Sequence, residues 1–434
     1  MFFKKEKNLL YSSLVENTNK RFLFFMLYRF MSEELDNHLD EDLPEEQIRS
    51  VIESKGFYIP VENRFRNVFE RYEGDSDGLS ICLQKVVEQI ENSSVDEYKA
   101  LFRDLYFLKF KGRQQGLKLD EIVIEEMQSV QNLDLNSSEK TKFNFADAYE
   151  YLVSTYSAYE RIYHWPEISE LLSRLVLLKN SEIKTVCDPL CDFGSTLLVF
   201  EKTWKQSNPS QDLKIFGRTN NLSAYKDCLT NMLLHNINHN NLSIDFGNLN
   251  REESTKFDAI VTNLYSPLDK KNQISFFKYC LENLNEGGIA AIAYSKNISK
   301  EVRKYLIENN CVECVIQFRI EKDLHFWGCI KNLIILRKSK KLDQTLFINA
   351  TTIGDHIEDE TLFFGFRDLC SFWGKLSLNE ENINWIIDIC KRNKNIRRKS
   401  RLVDNLKIKE KKYSFKVANY VNVPKLKISF VRWI

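Results

Sequence analysis

At 434 residues, with 43% hydrophobic and 28% charged side chains, the chain is long enough for two or three domains with ample core and has an ordinary globular composition. A formal net charge of +1 excludes a strongly basic or acidic protein taken as a whole. No apolar run reaches about 18 residues, and MFFKKEKNLLYSS lacks the apolar core and cleavage site of a signal peptide, so a cytoplasmic protein without a membrane partner is expected.

The first stretch, residues 1–140, reads as an α-helical domain. LLYSSLVENTNKRFLFFMLYRFMSEEL, SICLQKVVEQI and VDEYKALFRDLYFLKF place apolar residues at three- and four-residue spacings with few Gly or Pro. Between Glu33 and Glu46 stand eight acids and no Lys or Arg. A polar stretch around NLDLNSSEKTKFNF marks a boundary.

From there to residue 352 strands alternate with helices. AYEYLVSTYSAYERI and PEISELLSRLVLL are helical, KTVCDPL is a short buried strand, and STLLVFEKTWKQ is a helix. LKIFGRT, LSIDFG, FDAIVTN, GGIAAIAYS, VECVIQFRI and NLIILRK are strands, separated by the helices SAYKDCLTNMLLHNI, ISFFKYCLENL and EVRKYLIENN. That order predicts an α/β domain with a doubly wound, mostly parallel sheet, and the continuous apolar runs AAIA and LIIL suit strands covered on both faces. The remainder, 353–434, is expected to hold a helix over ENINWIIDICKRN and then a basic segment. Residues 391–412 carry eleven Lys or Arg against two acids, which suits phosphate contact or an acidic partner through Arg397, Arg398, Lys399 and Arg401.

Ten cysteines without regular spacing suit reduced thiols. The only CxxC, Cys311 to Cys314, lies inside CVECVIQF and reads as buried structural thiols. His235 and His239 are four apart and could share a helical face, but no third ligand accompanies them, so no metal site is expected. There is no P-loop and no nucleophile elbow. Two places remain for chemistry. One is the strand-to-helix turn CDPLCDFGSTLL, residues 187–198, where Gly194 permits close backbone approach. The other is KFDAIVTNLYSPL, residues 256–268, where Asn263 stands just beyond a buried strand, the place at which open α/β sheets hold ligands.

In combination these segments resemble the modification subunit of type I restriction–modification systems, an adenine-N6 DNA methyltransferase family that uses S-adenosylmethionine. DAYEYLVSTYS is similar to the family's DAYEYLI, RIYHWPEISELLSRLV to its GEFYTP segment, VCDPLCDFGSTLL to DPxCGSG with its helix, and FDAIVTNLYSP to FDxIVxNPPF. LNEGGIAAIAYS, EVRKYLIENNCVECVIQF, NLIILRK with TLFINAT, and YSFKVANYV continue the resemblance over nearly the whole chain. It implies a Rossmann-like methyltransferase domain behind an α-helical domain, with duplex DNA, a specificity subunit, a restriction subunit and a second modification subunit as partners.

The resemblance also assigns roles. Asn263 takes the place of the Asn that accepts the adenine amino group, but Leu264 and Tyr265 replace both prolines, and Ser266 stands where a ring stacks on the flipped base. Tyr265 is one residue early for that ring. On the cofactor side the implied contacts are Tyr163, Pro166, Asp188, Gly194, Thr219 and Asn248. Several depart from the pattern: GSG has become Asp192-Phe193-Gly194, Thr219 stands for the acid that grips the ribose, and Asn248 for the Asp beside the cofactor's adenine. His164 and Trp165 replace the expected Tyr and Thr beside Pro166. The expectation is a subunit that binds DNA with a specificity subunit while methyl transfer is weak or absent. Two alternatives stay open: an active adenine-N6 methyltransferase using Asn263 and Tyr265, and a scaffold or regulatory protein without catalysis. The abrupt apolar ending LKISFVRWI suggests a truncated terminus.

Overall fold

A computed structural model of the chain describes residues 20–36, 43–103, 119–133, 145–156, 166–249, 255–264, 268–295, 297–318, 332–351, 355–357 and 375–422. The chain divides into two compact units: Met1–Ile162 with Asp192–Ser195 and Thr219–Phe246, and Tyr163–Cys191 with Thr196–Arg218 and Gly247–Ile434. No helix among the described residues is long and apolar enough to cross a membrane.

The first unit is built from helices. Lys20–Asp36 is apolar nearly all round and buries Phe22 through Tyr28, Phe30, Met31 and Leu35, as such a sequence must. It packs against Leu119–Gln131, whose last carbonyls have no intrahelical partner. Arg29 supplies one: its guanidinium donates to the carbonyls of Val130, Gln131 and Leu133. Helix Glu45–Lys55 ends in left-handed Gly56, and its Glu53 carbonyl receives His239 Nε2 at 3.0 Å and Asn240 Nδ2 at 3.4 Å. His235 Nδ1 meets the Asn231 carbonyl at 2.9 Å. The two histidines therefore serve backbone carbonyls, and no group of three or more His, Cys, Asp or Glu among the described residues is placed to hold a metal ion.

The strands are β1 Thr185–Asp188, β2 Lys214–Thr219, β3 Leu242–Phe246, β4 Phe257–Leu264, β5 Leu284–Tyr294, β6 Val312–Phe318, β7 Asn332–Arg337, β8 Gln344–Ala350, β9 Asp355–Ile357, β10 Lys375–Ser377 and β11 Ser400–Asp404. Eight of them form the sheet of the second unit in the order β11-β8-β6-β7-β5-β4-β1-β2. β1, β2, β4 and β5 pair in parallel, as the alternation of strands and helices predicts. β7 inserts antiparallel between β5 and β6, β8 runs parallel to β6, and β11 closes the edge antiparallel to β8. Two reversals restore direction, so the carboxyl ends of β1, β2, β4, β5, β6 and β8 share one edge of the sheet.

Side chains stitch the opposite edge. Asp258 accepts from the Lys184 and Thr185 amides, from Thr185 Oγ1 and from Asn285 Nδ2, tying the amino ends of β1, β4 and β5 together. Glu313 on β6 pairs with Lys179 at 3.0 Å and Arg337 at 2.7 Å, all three largely shielded from water. Cys311 and Cys314 are buried free thiols, Cys314 within the strand expected of CVECVIQF and Cys311 one residue ahead of it. YSFKVANYV is a packing element: Phe415, Val417, Tyr420 and Val421 join the core, and the Phe347 and Tyr420 rings lie 4.3 Å apart.

Candidate functional site

β4 is apolar because it is covered on both faces, and its run ends in two polar residues, Thr262 and Asn263, both buried. Thr262 Oγ1 donates to Asp188 Oδ1 at 2.7 Å, and the same oxygen accepts the Leu190 amide at 3.0 Å. Asp188, at the end of β1, thus fixes both the turn that follows it and the last residues of β4. Asn263 is only 5% exposed, yet neither its Oδ1 nor its Nδ2 has a hydrogen-bond partner among the described residues. A buried, unmatched amide costs about 1–3 kcal/mol per group, so an amide in this condition calls for an explanation. Next along the chain, Leu264 joins Leu268, Gln273, Phe277, Tyr294 and Ser295 in lining a small hollow, and burial pushes the Tyr294 phenol above its ordinary pKa. Tyr265 and Ser266, like Tyr163, lie outside the described residues.

In the same unit, Pro166 opens helix Pro166–Lys179 and is exposed, as Pro at a first helical position often is. Asn248 is exposed after β3. Arg397, Arg398 and Lys399 are exposed on a tight turn ahead of β11, and Arg401 is exposed on that strand. Sequence reading missed Thr262 and Asn349. Their common signal was available, a polar residue closing an apolar strand, in AIVTN and in LFINAT.

The first unit holds the remaining predicted residues. Asp192 has a φ of +44° and Gly194 one of +78°. A Cβ on Gly194 would lie 2.5 Å from Met232 Cε and 2.8 Å from Cys228 Sγ, so glycine is required there by helix Leu222–Leu234. Asn231 Nδ2 donates to the Phe193 carbonyl at 3.1 Å. Thr219 is buried, and its hydroxyl accepts the Asn221 amide at 3.3 Å. Asn221 in turn caps Leu222–Leu234, its Oδ1 accepting the Ser223 and Ala224 amides.

Comparison with known proteins supplies the family. The N-6 DNA methylase family matches residues 140–267 and 264–428. The type I restriction enzyme MpnII methylase subunit of Mycoplasma pneumoniae is 25% identical over 92% of this chain and 84% of its own length. The type I restriction–modification methyltransferase subunit of Streptococcus thermophilus superposes with a TM-score of 0.71 at 19% identity, covering 97% of this chain and 96% of that one. A structure concerned with complex assembly of the type I restriction–modification system matches with a TM-score of 0.62 at 13% identity, over 98% of this chain and 92% of that one. The fold is the Rossmann-like one of S-adenosylmethionine-dependent methyltransferases with a helical part before it. The chain belongs to the N-6 DNA methylase family, among the modification subunits of type I restriction–modification systems.

Proposed function

We propose that this chain is a modification-type subunit that grips duplex DNA together with a specificity subunit and transfers methyl groups weakly or not at all. The observation that carries the reading is the wiring at the end of β2. Where the resemblance implies an acid for the ribose hydroxyls of S-adenosylmethionine, Thr219 is buried and its hydroxyl receives the Asn221 amide. In this reading Thr219 offers the ribose one hydroxyl, already engaged by the Asn221 amide, in place of the two acceptor oxygens of an acid. Asp192 and Phe193 in the turn, Asn248 in place of an acid, and the loss of both prolines after Asn263 point the same way. A restriction subunit and a second modification subunit complete the assembly in this reading.

Titration calorimetry with S-adenosylmethionine tests it. No heat is expected from the folded chain at micromolar cofactor, and Thr219→Asp is expected to strengthen binding by about ten- to a hundredfold, the worth of a charge-assisted hydrogen bond of about 1.5–3 kcal/mol. Micromolar affinity in the unaltered chain would sink the reading.

One observation favours the active alternative. The unmatched amide of Asn263 is what a group awaiting an adenine amino hydrogen requires. In that reading Asn263 accepts the amino group and Tyr265 stacks on the base. Methyl transfer to duplex DNA by the complex with its specificity subunit, abolished by Asn263→Ala, would put this reading first.

A further inference from the structure

The turn Ile396–Ser400 carries three consecutive cations. Its backbone is closed by the Lys399 and Ser400 amides donating to the Ile396 carbonyl and by Ile396 donating back to Ser400. Arg398 at its centre has a φ of +62°, a left-handed conformation in which Gly or Asn is the usual residue. Asn349, 2% exposed at the carboxyl end of β8, holds the turn from below: its amide donates to the Lys399 carbonyl at 2.8 Å and its Nδ2 to the Arg398 carbonyl at 3.2 Å. Asn349 Oδ1 is itself fixed by the Thr351 amide and hydroxyl.

The charges on the turn differ from those of two other arginines near them in the chain or fold. In the same unit, Arg174 bridges Glu170 and Glu380, and Arg392 bridges Asp388. Arg397, Arg398 and Arg401 form no ion pair among the described residues, and Lys399 Nζ lies over the Trp385 ring at 5.4 Å. Bare cations on a pinned backbone are arranged for an external anion, because an internal pair would already neutralise them.

Topology fixes where that anion lies. Ser400 pairs with Ile348 at the carboxyl end of β8, and β8 runs parallel to β4, so the turn stands on the same edge of the sheet as Asn263. Four strand steps separate β8 from β4 and five separate β11 from it, or about 19 and 24 Å at about 4.8 Å per step. At about 3.4 Å per base pair, that span is about six to seven pairs of duplex.

We propose that the Arg397–Lys399 turn, positioned by Asn349, is a phosphate clamp that holds duplex DNA about six to seven base pairs from the base presented to Asn263. The inference rests on the reading that the chain engages duplex DNA, and it adds the place of contact and the residue that fixes it.

Duplexes with one 2-aminopurine opposite an abasic site, flanked by equal arms of 3, 6, 9 or 12 base pairs, provide the test with the full-length chain in complex with its specificity subunit. Fluorescence anisotropy is expected to show affinity rising as the arms pass about six to seven pairs. The double variant Arg397→Ala, Arg398→Gly, whose glycine suits the left-handed backbone, is expected to lose that rise. Its salt dependence should be shallower by about 2, since each phosphate contact contributes about 0.9 to the slope. Asn349→Ala, which keeps every cation, should blunt the rise in a chain whose circular dichroism is unchanged. An equal rise in parent and double variant overturns the clamp and leaves DNA binding standing. A folded parent without affinity for any of the duplexes overturns both.

Discussion

Glu313→Ala is expected to cost the fold about 3 kcal/mol or more, because it strands two largely shielded cations that have no other carboxylate partner among the described residues. Lys179 and Arg337 approach Glu313 from opposite oxygens, and Arg337 also donates to the carbonyls of Gly287 and Lys179. Burial alone would push the Glu313 carboxyl up, but Lys179 and Arg337 outweigh it and hold the pKa below the ordinary value. A carboxylate whose folded pKa is depressed stabilises above its unfolded pKa, and that contribution is lost as pH falls through the folded value. Urea unfolding at pH 7 should therefore show a large loss for Glu313→Ala, and the gap between parent and variant should narrow below about pH 4.5. A variant as stable as the parent at pH 7 would mean that the triad breaks even against solvation.

The second large effect has the opposite sign. Asp227 sits within reach of Tyr149, whose hydroxyl donates to Oδ1 at 3.1 Å, and of Ser223 at 3.5 Å. Burial pushes its carboxyl up to about 6, and the Tyr149 and Ser223 bonds with the nearby Lys20 and Lys226 charges offset that only in part. The folded state therefore keeps a proton that the unfolded chain releases, and stability falls as pH rises from about 4 to about 6. Above that window the ionised group costs up to about 3 kcal/mol, less for the share of the side chain that water reaches. Asp227→Asn keeps an oxygen for Tyr149, gives up only the long Ser223 bond to the other oxygen, and is expected to raise stability at pH 7.5 by about 1–3 kcal/mol. The advantage should fade towards pH 4. Thermal melts across that range check it, and a constant difference at every pH would show that the charge is not the cause.

Much of the second unit was legible because its strands are apolar without alternation and its helices carry caps. Asp269, Ser299 and Asn379 each accept an amide at the start of a helix. Asn263 was legible for the same physical reason, a polar residue closing a buried strand. The antiparallel entry of β7 was not, since LIIL reads alike in either direction. Nor was β11, whose SRLVD is short and half polar. With β11 unseen, the basic block had a composition but no place, and the link between Arg398 and Asn349 was out of reach. The Asp188–Thr262 bond was equally hidden, because no local pattern tells which strands become neighbours.

The late arrival of β11 shapes how this chain is made. β8 leaves the ribosome well before its outer partner, since Ile348 pairs with Ser400. Until then the backbone amides of TLFINA lie open along one side, the kind of surface on which nascent chains stick to one another. Chaperone dependence should therefore centre on this strand, and a release of synthesis just before Ser400 should yield aggregates where one beyond Val421, with the packing residues of YSFKVANYV in place, yields folded protein.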